Sequence, residues 1–164
     1  MHGILIIIDP QDGKCRDLTK EDRDEFVCNI CERVQDHVAE ENNDIFGTVD
    51  RRFVSDKHDL IFKELKEVIL ELPNVKFPLQ SKYTLGSLDL VNLVIKLHNA
   101  YANEGGVKAE ICGTNYNYEA LIMAMTLKSV IQDIEVEFNV RCISENIEES
   151  IPFAKSIGIN VIDL

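Results

Sequence analysis

The sequence contains no tryptophan and only four prolines and eight glycines among its 164 residues, a composition that excludes collagen-like and proline-rich disordered proteins. Basic residues are also scarce: 17 lysines and arginines face 29 acidic residues, for a net charge of −12. Nucleic acids and anionic membranes repel such a surface, so we predict neither as a partner. The early apolar run from Ile4 to Ile8 is too short for a signal peptide core or a membrane span. We therefore expect one cytoplasmic domain over residues 1–164.

The sequence has five cysteines, which is an odd number: Cys15, Cys28, Cys31, Cys112 and Cys142. An odd set without a secretory signal predicts reduced thiols rather than a disulfide framework. The Cys28-x-x-Cys31 pair could indicate redox chemistry. It lies in the middle of a predicted helix among apolar residues, which favours packing.

Apolar patterning alternates between strand and helix about six times along the chain. Strands are predicted at 3–8, 45–50, 75–80, 107–112, 134–140 and 159–163, with helices at 19–41, 59–72, 87–102, 118–131 and 145–157. Thr19 is the predicted N-cap of the first helix, and Pro78 places the third strand at an edge or makes it irregular. This alternation predicts a three-layer α/β/α fold with a doubly wound, mainly parallel six-stranded sheet.

Ionisable residues follow three of the predicted strands, where open α/β sheets bind their ligands. Asp9, Lys82 and Glu119 are these residues. An Asp–Lys pair at such an edge can perform acid–base chemistry. The alternatives are an Asp that caps its own loop, a solvated Lys, and a first-turn helix Glu with Asn117 as the N-cap.

Three segments in chain order, ILIIIDPQDG, SKYTLGSLDL and EICGTNYNYEALIMAMTLKS, resemble segments of the isochorismatase-like hydrolases, which include nicotinamidases and other cysteine hydrolases. The resemblance implies a Rossmann-like sheet of order 3-2-1-4-5-6. It also implies an Asp that acts as general acid or base, a Lys that holds charge in the site, and a Cys nucleophile at a helix N-terminus. Asp9 and Lys82 match the first two, but Glu119 stands at the nucleophile position.

A carboxylate cannot replace a thiolate in thioester chemistry, so cysteine-type amide hydrolysis is not expected. One hypothesis is a non-catalytic pseudoenzyme that binds a small molecule in a pocket formed by Asp9, Lys82 and Glu119. The other is a divergent hydrolase that uses Asp9 as general acid or base on a vinyl-ether or amide-type substrate. Under both hypotheses, the predicted ligand contacts are Gln11, Tyr83, Tyr116, Asn117 and Tyr118, although the tyrosines could equally be packing residues.

The metal site of nicotinamidases is not matched. Its pattern is Asp-x-His after the second strand with a further His, and here Asp50 is followed by Arg52 where the His belongs. His58 and His98 have no partner at ligand spacing, so we predict no metal and no cofactor. We also expect a homodimer or higher homo-oligomer, both from the resemblance and because a short apolar sixth strand needs cover.

Overall fold

The computed structural model describes residues 1–40, 44–54 and 60–164. Its strands form one parallel sheet in the order β3-β2-β1-β4-β5-β6. The strands are β1 His2–Ile8, β2 Ile45–Asp50, β3 Leu79–Lys82, β4 Val107–Gly113, β5 Glu135–Ile143 and β6 Asn160–Ile162. The α-helices are α1 Lys20–Ala39, α2 Lys63–Glu71, α3 Leu88–Ala100, α4 Glu119–Val130 and α5 Ile147–Ser156. The predicted fold class and strand order are confirmed.

Two apolar clusters, one on each face of the sheet, hold the three layers together. On one face β1 side chains pack against α1 and α2, and on the other they pack against α3, α4 and α5. Because β1 is central and buried on both faces, its sequence is a continuous apolar run rather than an alternating one.

Helix α1 begins where the sequence predicts. The Thr19 side chain accepts a hydrogen bond of 3.1 Å from the Asp22 main-chain N–H, so Thr19 is the N-cap. Phe26, Ile30 and Val34 form its buried stripe. Residues 41 and 59, at the ends of two predicted helices, lie outside the described residues. Within the described ranges no helix is both long and apolar enough to cross a membrane.

The third strand is displaced from its predicted position. We predicted 75–80, but β3 covers Leu79–Lys82 and forms one edge of the sheet. Pro78 has no N–H for the ladder, and only its carbonyl takes part, by accepting a 3.1 Å bond from the Gly47 N–H. Lys82 is therefore the last strand residue rather than part of the following loop.

The fifth strand is longer than the predicted 134–140, because it continues to Ile143 and includes Arg141 and Cys142. A register shift between Ile111 and Gly113 accompanies this extension. Strand β6, of three residues, forms the other edge. The expected homo-oligomer that would cover this edge stays a prediction.

Gly113 provides a test of how the strand ends are packed. Its φ is +119°, and a Cβ at this position would overlap the main chain of Ile8 on the neighbouring strand. We expect Gly113→Ala to lower the free energy of unfolding by about 3 kcal/mol, because strain and overlap both act there. Urea unfolding measures the loss.

Gly86→Ala is the matched control for Gly113→Ala, because a Cβ at Gly86 meets no atom within 4 Å. Its effect should stay below about 0.5 kcal/mol. Equal stability of the two variants would contradict the packing of β4 against β1.

Candidate active site

Asp9 and Lys82, the two residues that match the hydrolase pattern, form an ion pair at the carboxyl edge of the sheet. The Lys82 Nζ lies 2.7 Å from Asp9 Oδ2, and it also donates to the Leu85 carbonyl at 3.0 Å. Thr48 on β2 orients Asp9: its hydroxyl donates to Oδ1 at 2.6 Å and accepts from the Asp9 N–H at 3.1 Å. Asp9 has a left-handed backbone, with φ of 43°, immediately after β1.

Lys14 is the site residue that sequence reasoning missed. It lies on a short 3₁₀ helix, Asp12–Lys14, and its side chain is fully buried. Its Nζ is 2.5 Å from Glu119 Oε1, 3.0 Å from Asp50 Oδ2 and 3.7 Å from Asp9 Oδ2. The same nitrogen lies 4.2 Å from the centroid of the Phe53 ring. A single ammonium therefore joins three carboxylates, and we call Asp9, Lys14, Asp50, Lys82 and Glu119 the central charge cluster.

The three predicted residues thus meet in one place, but Glu119 joins the Asp9–Lys82 pair through Lys14. Both oxygens of Glu119 have partners, because Oε2 accepts a 2.7 Å hydrogen bond from the Asn117 main-chain N–H. The N-cap assignment of Asn117 is wrong. Tyr118 occupies the cap position of α4 with a left-handed φ of 61° and makes no side-chain cap bond.

Asp50 has two cationic partners. Besides Lys14, the Arg52 guanidinium binds it through Nε at 3.0 Å and Nη2 at 2.6 Å. Burial alone would raise the pKa of Asp50, but hydrogen bonds from Arg52 and Lys14 lower it to about 2. Asp50 is therefore ionised at neutral pH.

The pKa values of Lys14 and Asp9 show how burial and pairing compete. Burial acts to lower the pKa of Lys14, yet hydrogen bonds to Glu119 and Asp50 raise it above its usual value, so the ammonium stays charged. The pKa of Asp9 is raised because burial outweighs the opposing effect of Lys82 and Thr48. Three cations, counting Arg52, thus face three carboxylates.

The remaining predicted contact residues surround this cluster in different ways. Gln11 uses both ends of its amide on the main chain of Asp50, donating at 3.1 Å and accepting at 2.8 Å, so it links the ends of β1 and β2. The Tyr116 hydroxyl accepts from Arg16 at 2.7 Å. Tyr83 is 70% exposed, and Tyr118 and Asn117 are exposed as well. Contact of these residues with a ligand stays a prediction.

The central charge cluster is closed to solvent. The side chains of Asp9, Lys14, Asp50 and Glu119 are 0% exposed and that of Lys82 is 3% exposed. Five cavities of about 240 to 460 Å³ in the described parts of the chain are lined by residues outside the cluster.

The residues present do not fit the metal site of the nicotinamidase pattern. Asp50 is held by Arg52 and Lys14, and the His98 Nδ1 accepts a 3.1 Å hydrogen bond from the Val107 N–H. His58 lies outside the described residues. Within residues 1–40, 44–54 and 60–164, no group of three or more His, Cys, Asp and Glu side chains could hold a metal ion.

No protein-family model matches the sequence, and comparison with curated proteins finds no match. Solved structures do match over nearly the whole chain. A nicotinamidase from Bacillus subtilis has a TM-score of 0.73 at 14% identity, with 99% of this chain and 100% of that chain covered. An N-carbamoylsarcosine amidase from Thermoplasma acidophilum has a TM-score of 0.69 at 11% identity, with 99% of this chain and 96% of that chain covered. An isochorismatase-like hydrolase from Alkaliphilus metalliredigens has a TM-score of 0.65 at 12% identity, with 99% of this chain and 95% of that chain covered.

These likenesses show the fold. The chain has the α/β fold of the isochorismatase-like hydrolases, including the nicotinamidases, as the sequence resemblance implied.

Replacing Lys14 tests whether its ammonium holds the cluster together. We expect Lys14→Met to lower the free energy of unfolding by about 3–5 kcal/mol at pH 7, because removing one partner leaves buried charge uncompensated. The loss should be smaller at acid pH. Without the ammonium, the pKa of Asp9, which burial already raises, should rise further, so the variant loses more stability than the unmodified protein as pH increases.

Lys63→Met is the matched control for Lys14→Met. Lys63 pairs with Glu67 at 3.7 Å, with the two side chains 76% and 61% exposed. Its loss should cost no more than about 0.5 kcal/mol. Chemical unfolding at pH 7 and pH 4.5 measures both variants, and equal stability of the two at pH 7 would refute the role of Lys14.

Proposed function

We propose that this chain is a non-catalytic member of the isochorismatase-like hydrolases, in which the central charge cluster replaces a substrate-accessible catalytic centre. The observation that carries the proposal is the fully buried Lys14 ammonium between Asp9, Asp50 and Glu119. Hydrolysis requires a substrate carbonyl within bonding distance of a nucleophile or an activated water. The Lys14 side chain fills the space between the groups that would have to contact it.

The nucleophile position supports the same proposal. Glu119 is a poor nucleophile toward an amide, and each of its oxygens already has a hydrogen-bonding partner. The nearby Tyr118 N–H is also engaged, because it donates to the Asn115 carbonyl at 3.1 Å. A developing oxyanion would meet the Glu119 carboxylate instead of free donors.

The buried Lys14 ammonium restricts the chemistry of the small-molecule ligand that we expected at this site. A molecule that entered the cluster would have to take over the contacts of the Lys14 ammonium with three carboxylates. A compact cation such as a small primary amine is the chemistry that fits this requirement. A nicotinamide-like neutral amide does not fit it.

The first prediction from this proposal is that the protein does not release nicotinate from nicotinamide. Loss of a catalytic nucleophile commonly costs at least about 10⁴-fold in rate. Glu119→Cys alone should restore little, because Lys14 still occupies the centre and a nucleophile works only with its base and oxyanion donors in place.

An assay of nicotinate formation, with an active nicotinamidase as reference, makes this measurement. Turnover by the unmodified protein within about 100-fold of the reference would contradict the proposal.

A divergent hydrolase with Asp9 as general acid is the second candidate, and the raised pKa of Asp9 favours it. A buried carboxyl group with a raised pKa stays protonated to a higher pH, so it can protonate the leaving oxygen of a cyclic vinyl ether. Its pairing with Lys82 at 2.7 Å also retains the acid–base arrangement of the resemblance. This candidate requires the cluster to open during turnover.

Asp9→Asn separates the two candidates, because the amide keeps the shape of the side chain and cannot supply the proton. If Asp9 acts as the acid, the variant should lose any turnover of a cyclic vinyl ether by at least about 10²-fold. Asp12→Asn, an exposed change in the same turn, serves as the control. Absence of turnover in the unmodified protein supports the non-catalytic proposal, and turnover that disappears only in Asp9→Asn refutes it.

A further inference from the structure

The largest of the five cavities, about 460 Å³, lies between α1 and α2 and contains two thiols. Cys28 and Cys31 both line it, Val27 and Val68 provide apolar surface, and acidic side chains of both helices complete it. We call this cavity the dithiol groove. It shares no lining residue with the central charge cluster, so it is a separate feature of the molecule.

The packing predicted for these two cysteines is wrong for Cys28, whereas Cys31 packs in part against the apolar cluster that includes the buried face of α1. Cys28 is exposed, with its Sγ 3.7 Å from Glu32 Oε1, and Cys31 is only half-buried. Side chains three residues apart on a helix are neighbours, with Cβ atoms roughly 5–6 Å apart. Both thiols therefore open into the same groove from one face of α1. The other three cysteines, Cys15, Cys112 and Cys142, are buried.

We propose that the dithiol groove binds a soft monovalent metal cation, Cu(I), through the Sγ atoms of Cys28 and Cys31. Thiolate ligands select Cu(I), zinc and iron–sulfur clusters. Structural zinc and iron–sulfur clusters take four protein ligands, and catalytic zinc takes three. In the described part of the chain no group of three or more metal-binding side chains is suitably placed. A two-coordinate thiolate site remains, and it matches Cu(I).

The charge of the groove favours a cation over an anionic thiol reagent. Asp24, Glu64, Glu67 and Glu71 line it, and Arg23 is the one cation among its described lining residues. Arg23 is already paired, with Nη1 2.6 Å from Glu64 and 3.1 Å from Asp24. Lys63 also lies 3.7 Å from Glu67, so two cations face four carboxylates and the groove keeps a net negative charge. This charge attracts a metal cation and repels a polyanion such as glutathione disulfide.

Binding releases protons and leaves the copper oxidation state unchanged. Burial raises the pKa of Cys31 to about 11, and that of Cys28 is also raised by desolvation, so both thiols are protonated at neutral pH. Two S–H bonds break, two S–Cu bonds form, and two protons pass to solvent. Copper remains Cu(I), so the step requires no oxidant or reductant.

The test is an anaerobic titration of the reduced full-length protein with Cu(I), in competition with a chromogenic Cu(I) chelator. We expect one high-affinity Cu(I) per chain. Cys28→Ser and Cys31→Ser should each weaken binding roughly 100-fold or more, because each removes one of only two thiolate ligands. Both changes lie on accessible helix positions, and circular dichroism checks that the variants remain folded.

Cys112→Ala is the matched control, because Cys112 and Cys142 form the other close cysteine pair, buried on neighbouring strands. This variant should keep the affinity of the unmodified protein. The proposal is overturned if the unmodified protein takes up no Cu(I), if the Cys28→Ser/Cys31→Ser double variant retains the site, or if Cys112→Ala abolishes it.

Discussion

The ammonium of Lys14 is the group on which the carboxyl edge of the sheet depends. Asp9 follows β1, Asp50 ends β2 and Glu119 begins α4, and each has an oxygen within 3.7 Å of the Lys14 Nζ. Buried carboxylates brought this close together are tolerated only when cations compensate them. Lys14, from the turn after β1, therefore does more than neutralise charge, because it connects three separate elements at the switch point of the sheet.

Main-chain and amide hydrogen bonds add to these ionic contacts at the same edge. The Thr114 N–H donates to the Ile8 carbonyl at 2.8 Å, and the Thr114 hydroxyl donates to the Asp9 carbonyl at 3.1 Å. Gln11 joins the turn after β1 to Asp50 in the same region. These contacts fix the ends of β1, β2 and β4 next to one another, where the members of the central charge cluster meet. The centre at this edge is closed to solvent and balanced in charge.

The fold could be predicted because the sequence patterns that indicate it are local or periodic. Only part of the site could be predicted in this way. The apolar run of β1 and the strand–helix alternation predicted the sheet, and Pro78 explains the displaced third strand. Asp9, Lys82 and Glu119 were predicted to meet because parallel strand ends share one edge. Lys14 was missed because a lysine in an Asp-Gly-Lys turn normally lies in solvent. The available signal was charge balance: with Asp50 and the neighbouring Arg52 included, three carboxylates at one edge faced only two cations, Lys82 and Arg52, and required a third.

The state of the Lys14 ammonium tests this account most directly. NMR spectroscopy of ¹⁵N-labelled protein detects side-chain ammonium groups whose protons exchange slowly with water, and Lys14→Arg assigns the signal. A fully buried ammonium held by three carboxylates should give a protected Lys14 signal at neutral pH. It should also show a nuclear Overhauser contact with the Phe53 ring, which lies 4.2 Å from the nitrogen. A Lys14 ammonium that exchanges as fast as surface lysines, without contact to Phe53, would contradict the closed centre and the non-catalytic function inferred from it.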